Sequence, residues 1–215
     1  MDWEALRLSL LLAVATGLVL IPAGVMVARG LAYADFRGKS IVEAAIAIPL
    51  VLPPTVLGYY LLTAMGGASP LGAFYERMTG SPLAFSFEGL LVGSLIFNLP
   101  FALIPMERAF ESIPVEVRQA AECCGLSWYR TMWRIELPLA WPGIVSALVM
   151  TIAHTVGEFG VVLMVGGNIP GETRTIAISI YDRVQAFDMG AAGAMSSFLL
   201  VFSLLTLALT NRLSR

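Results

Sequence analysis

Two groups of residues in this chain have the types and spacing to do chemistry, and both sit among apolar neighbours. The first is Gln119-Ala120-Ala121, followed by Gly125 and then by Ile135, Leu137 and Pro138. This stretch is polar and charged and lies between two long apolar runs. Its wet face is Glu116, Arg118, Gln119 and Glu122. Val115, Val117, Ala120, Ala121 and Cys124 form a small-residue face that another protein surface can approach closely. The pattern predicts a helix that seats in a groove on a partner at the water side. An interfacial amphipathic helix without a partner is the plainer alternative. Ser112 and Pro114 supply a start, Gly125 a left-handed stop, and Ser127 a cap for a second short helix over Trp128 to Arg134.

The second group is His154 and Glu158, i and i+4 on one helical face. That spacing suits a hydrogen-bonded pair near the outer end of a span, or a proton-linked element. A zinc helix needs a glutamate after its first histidine, and Thr155 stands there, so no metal site is expected. The expected role is structural, with Glu158 satisfying backbone donors.

Two other features carry less. Cys123 and Cys124 are the only cysteines; neighbours in sequence bridge only with strain, so they are expected as free thiols. Gly38-Lys39-Ser40 resembles the end of a phosphate loop, but Tyr33 occupies the position of its first glycine. No ATP site is expected, and no cofactor in this chain.

The elements that must position these residues are set by hydropathy. The chain is 58% hydrophobic and 13% charged, with mean hydropathy +0.81; soluble domains carry about 25% charged residues. Its net charge of −2 speaks against a nucleic-acid binder. Crossing the hydrocarbon core of about 30 Å takes roughly 20 apolar residues. Five stretches qualify: Leu8 to Ala28, Ala44 to Met65, Gly89 to Met106, Pro142 to Val165, and Met189 to Asn211. Backbone groups in lipid require them to be helical. Arg29, Arg37, Lys39, Arg108, Arg118, Arg130, Arg134, Arg212 and Arg215 fall on one side; Arg7, Arg77, Arg174 and Arg183 fall on the other. Nine basic residues against four place the first set in the cytosol. The expectation is an all-α integral membrane protein with five transmembrane helices, N-terminus outside and C-terminus inside. Residues 1–215 read as one membrane domain, with a cytoplasmic coupling loop over about 107–138.

Pro49, Pro53 and Pro54 must interrupt the second stretch. Their freed carbonyls, with Thr55 and Gly58, line a cavity or mark a packing kink. Gly190, Gly193, Ala194 and Ser197 give the fifth a face for close helix packing. In the outer loop Asn168, Thr173, Arg174 and Thr175 are candidates to meet an incoming anion or an external binding protein; a solvated loop is the plainer reading.

The motif Gln119-Ala120-Ala121, three residues, Gly125, nine residues, Ile135-x-Leu137-Pro138 resembles the cytoplasmic loop of ABC importer permease subunits. It departs from that pattern at Gln119, where the family has glutamate; the amide keeps hydrogen bonding and loses the charge. The resemblance extends over roughly Leu6 to Leu213. Pro49 to Tyr59, Gly157-Glu158-Phe159-Gly160 and Asn168 to Thr175 are most similar to the molybdate branch, and the second block is shared with sulfate permeases. This resemblance implies a type I importer fold in the bacterial cytoplasmic membrane. It implies a homodimer joined by two cytosolic ATPases, which bind ATP and Mg, and by a periplasmic or lipid-anchored molybdate-binding protein. Pro53, Pro54, Thr55, Gly58, Gly157 and Glu158 are then candidates for the translocation path. The implied activity is ATP-driven oxyanion import by alternating access, with hydrolysis on the partner. Sulfate, thiosulfate or tungstate are alternative substrates within the class. A proton-coupled secondary transporter and a structural adaptor are the alternatives outside it.

Overall fold

The computed structural model describes residues 1–213 and is helical, with no strand among them. Helix α1 (Trp3–Tyr33) opens the chain. At 31 residues it is about 46 Å long, more than the bilayer core needs. Its last turns therefore reach beyond the lipid and carry Arg29 and Tyr33 to the inner side. A bent pair follows, α2 (Lys39–Val51) and α3 (Pro54–Met65). A short outer helix, α4 (Pro70–Thr79), leads into the long helix α5 (Phe87–Glu111). At the inner side come α6 (Val115–Cys123) and α7 (Trp128–Thr131). A π segment over Met132–Glu136 joins α7 to α8 (Leu137–Gly157). The chain ends with α9 (Gly160–Gly166), α10 (Ile176–Gln185) and α11 (Met189–Leu213).

Helix α5 forms the centre, with α1 and α8 packed on it. Leu20, Ala28, Leu103, Met106, Phe110 and Ile144 make the inner part of this core. Close approach depends on small residues: a Cβ on Gly17 would lie 3.1 Å from Leu148. Several polar groups where α1 and α5 meet are paired, as lipid favours. Thr16 donates to the Ser94 hydroxyl at 2.9 Å, and the Asn98 amide donates to the Ser94 carbonyl at 2.8 Å.

Four helices are long and apolar enough to cross a membrane, and a fifth crossing exists if α2 and α3 count as one broken span. The five expected segments are present with changed bounds. Ala44 to Met65 is not one kinked helix; it breaks at Leu52–Pro53 with a bend of 110°. The fourth stretch ends at Gly157, and the remainder of Pro142 to Val165 is the separate helix α9. Arg29 and Arg118 meet at one end of the bundle and Arg174 lies at the other, consistent with the sides assigned from charge. Arg215 lies outside the described residues.

At the outer end Asp2 caps α1, accepting from the Ala5 N–H at 3.0 Å, and takes the Ser179 hydroxyl of α10 at 2.8 Å. Partial burial pushes its pKa up, but the Ala5 N–H, Ser179, Arg174 and Arg183 together hold it below the ordinary carboxylate value. A depressed carboxylate stabilises the fold above its unfolded pKa of about 3.9, and that stability is lost as pH falls through the folded pKa. Asp2→Asn is therefore expected to reduce the fall in melting temperature between pH 5 and pH 3. Parallel acid titrations of wild type and variant in detergent check this.

Candidate functional site

The inner-side helix α6 starts at Val115 behind Pro114. The expected Ser112 cap is not made: its hydroxyl donates back to the Ala109 carbonyl at 2.8 Å and finishes α5. Gly125 is the expected stop, at φ +74°, with the Leu126 N–H donating to Ala121 O at 3.1 Å. The small-residue face is divided. Ala121 is buried and Val117 half-buried against the spans, whereas Gln119, Ala120, Cys123 and Gly125 are exposed. Cys123 and Cys124 are free thiols.

Ser127 precedes α7 without a side-chain capping bond. The second short helix does not stop at Arg134 either. It runs on through the π segment, where the Leu137 N–H donates to Met132 O, directly into α8. Ile135, Leu137 and Pro138 are thus the root of a span rather than the end of a loop.

Behind α6 lies a group that sequence reasoning missed. Glu136, the unfixed residue of Ile135-x-Leu137-Pro138, is fully buried. Arg29 of α1 donates to it through Nε, and through a second nitrogen at 3.2 Å. Arg118 of α6 places Nε 3.4 Å from its Oε1. The Arg118 guanidinium also lies over the Tyr33 ring, 3.6 Å from its centroid, and the Tyr33 hydroxyl donates to Phe110 O at 3.1 Å. One carboxylate thereby joins α1, α6 and the root of α8. Removing one partner of such a buried pair typically costs about 3–5 kcal/mol, because the remaining charge is stranded. The signal in the sequence was an acid at the mouth of a long apolar run, with Arg130 and Arg134 just before it. Spacing alone does not reveal that Arg29, 107 residues away, reaches it.

The two interrupted helices pack on one another. Gly58 of α3 lies against α9, where a Cβ would stand 2.7 Å from Met164 Cβ. Gly160 of α9 lies against Pro54, where a Cβ would stand 2.6 Å from the ring's Cβ. Of the path candidates, Pro53, Pro54 and Thr55 are exposed and Gly58 is buried. Gly157 ends α8. Glu158 is buried and turned onto the start of α9, its Oε1 accepting the Val161 N–H at 2.9 Å.

The expected pairing of His154 with Glu158 is not formed, because α8 ends at Gly157 and Glu158 lies beyond it in extended backbone. His154 Nδ1 lies 3.0 Å from Asn98 Oδ1, and the ring stacks on Phe101 at 3.9 Å. Glu158→Ala frees the buried Val161 N–H at a cost of about 1–3 kcal/mol. We expect a lower melting temperature for that variant, and none of this loss in His154→Gln if the two residues act separately. Thermal unfolding in detergent tests both.

The outer block from Asn168 to Thr175 is bonded to itself. Arg174 donates to Asn168 Oδ1 at 2.6 Å, and Asn168 donates to Asp182 Oδ2 at 2.8 Å. Thr173 accepts the Ile169 N–H at 3.1 Å. Thr173 and Thr175 are buried, while Gly171 and Glu172 are exposed at the tip of the turn. No cluster of potential metal ligands exists among the described residues.

Long apolar helices, two interrupted elements packed in their midst and an exposed helix at the basic end define a polytopic membrane permease. Residues 20–215 match the family described as binding-protein-dependent transport system inner membrane component, and the chain belongs to it. It is a multi-pass protein of the bacterial inner membrane. It is 42% identical to the molybdenum transport system permease protein ModB of Azotobacter vinelandii, over 96% of this chain and 91% of that protein. Identity to the ModB protein of Haemophilus influenzae is 36%, over 100% of this chain and 94% of that one. The sulfate transport system permease protein CysT of Synechocystis is 30% identical, over 94% of this chain and 71% of that one. The fold is that of a bacterial ABC transporter involved in import of the acidic polysaccharide alginate, with TM-score 0.78 and 18% identity, covering 99% of this chain and 78% of that one. The MetNI methionine ABC transporter in an inward-facing conformation gives TM-score 0.71 and 18% identity, covering 100% and 93%.

Proposed function

We propose that this chain is the membrane-spanning subunit of an ATP-driven oxyanion importer, with molybdate as the transported ion. The observation that carries the reading is likeness over the whole chain: relatives named as molybdenum permeases reach 42% identity, above the 30–32% of those named for sulfate. Two copies work as a homodimer with two cytosolic ATPases, which bind ATP and Mg and hydrolyse the nucleotide, and with an external molybdate-binding protein. The exposed apolar side chains of α2, α3 and α11, among them Ile41, Val51, Tyr60 and Leu205, offer surface for a second copy and for lipid.

The exposed face of α6, with Gln119 and Ala120, is the ATPase dock. Ile135, Leu137 and Pro138 root it in α8. The two packed breaks supply the path: Pro53, Pro54 and Thr55 are exposed there, and Gly58, Gly157 and Glu158 shape it. A dianion crossing hydrocarbon needs a wet, protein-lined route. A conduit that bound it by direct charge pairing would release it slowly. Selectivity therefore rests mainly with the external protein, which meets the outer turn at Asn168 to Thr175. A secondary transporter is less well supported, since His154 is engaged by Asn98 and Glu158 by backbone.

The test is uptake of radiolabelled molybdate into proteoliposomes holding the chain, its ATPase and its binding protein. ATP-dependent uptake that excess sulfate does not suppress is expected. Suppression by sulfate would move the substrate to the sulfate branch. Uptake that ignores ATP and follows a proton gradient would overturn the reading.

A further inference from the structure

We propose that Glu136 is the joint through which the ATPase-driven movement of α6 reaches the spans. This rests on α6 being the ATPase dock. The helix has two sides with different work. Its exposed front, Gln119, Ala120 and Cys123, is free for a partner. Its rear buries one residue, Ala121, against the rest of the chain. With half-buried Val117 as its only other apolar contact there, α6 has a small apolar footing that lets it slide over the bundle when it is pushed. The resisting contact is Arg118, whose guanidinium is held between the Glu136 carboxylate at 3.4 Å and the Tyr33 ring.

Glu136 in turn is fixed at both other ends. It is the last residue before α8, and its carboxylate takes two bonds from Arg29 near the foot of α1. Fully buried and paired, it cannot exchange these bonds for water without being stranded. A displacement of Arg118 must then either carry α1 and α8 along or break the pair. Both helices pack on α5, so the movement enters the bundle at two helices together. The exposed face of α6 carries Glu116 and Glu122 beside the neutral Gln119, yet the only acid in contact with Arg118 among the described residues lies behind the helix. The ion pair that anchors this loop thus points into the permease. Glu136 is a positioning residue: it touches neither nucleotide nor ion.

The experiment uses the whole complex in proteoliposomes and reads three quantities. These are ATP hydrolysis, ions imported per ATP, and the ATP-driven change in distance between spin labels at Glu172 of the two copies, with Cys123 and Cys124 changed to serine. Glu136→Gln is expected to keep hydrolysis while ions imported per ATP fall at least about tenfold, equal to 1.4 kcal/mol of coupling, and the label distance stops responding to ATP. Arg118→Gln should match it, and the double variant should be no worse than either, because the residues act in series. A normal ratio and a normal distance change in assembled Glu136→Gln would overturn the proposal. If that variant fails to assemble, Arg118→Gln, whose side chain is partly exposed, carries the same test, and a normal ratio there overturns it. A wild-type complex that moves its labels with ATP but imports no oxyanion would refute the substrate and leave the joint standing. A wild-type complex whose labels ignore ATP would refute the coupling reading itself.

Discussion

Gly160→Ala is expected to reduce ATP-driven uptake more than tenfold, although it adds a single methyl group. The new Cβ would stand 2.6 Å from Cβ of Pro54. That atom belongs to a closed ring at the start of α3 and cannot swing away as the end of a flexible side chain does. The breaks would have to separate, and overpacking of this kind costs about 1–3 kcal/mol. Gly58→Ala acts at the same seam from the other side, against Met164 Cβ at 2.7 Å and Val161 Cα at 3.4 Å. Gly30→Ala is the matched control, since nothing lies within 4 Å of the added atom. Melting temperatures and uptake for the three variants check this. Equal behaviour of Gly160→Ala and Gly30→Ala would show that the seam tolerates opening.

Ala120→Trp is expected to silence transport while leaving the permease folded. Ala120 faces outward on α6, and surface substitutions usually change stability by no more than about 0.5 kcal/mol. A large side chain at the centre of a close-approach face removes docking energy instead. A loss of about 3 kcal/mol lowers affinity for the ATPase more than a hundredfold. Ala121→Trp, one residue on, has the opposite signature. Its site is 3% exposed, so the indole must force α6 away from the spans, and the permease itself should lose stability. Co-purification with the ATPase, set beside melting of the permease alone, distinguishes the two. Retained ATPase binding by Ala120→Trp would remove this face as the dock.

Part of this was legible in the sequence because the bilayer leaves few options. Twenty or so apolar residues in lipid must be helical, so the spans from Leu8, Gly89, Pro142 and Met189 were readable from hydropathy. The distribution of arginines set their direction. Gly125 announced the end of α6, because a left-handed position favours glycine. Where reading failed, the cause was partner choice across space. His154 and Glu158 share a helical face in an unbroken helix, but α8 ends at Gly157, so Glu158 turns to Val161 and His154 to Asn98. Pro53 and Pro54 promised a kink; the 110° bend and the packing of α3 on α9 are visible only in the fold.

The sequence by itself determined the solvent, the helical class, the sidedness and the small-residue loop motif, since each follows from local composition or spacing under the rules of the membrane. Only the tertiary structure decided which face of α6 is free, that Gly58 and Gly160 serve a seam between two broken helices, and that Glu136 is the buried charge behind the loop. Those depend on contacts between residues about a hundred positions apart, and a charge is seen to be paired only when the fold has brought its partner within reach.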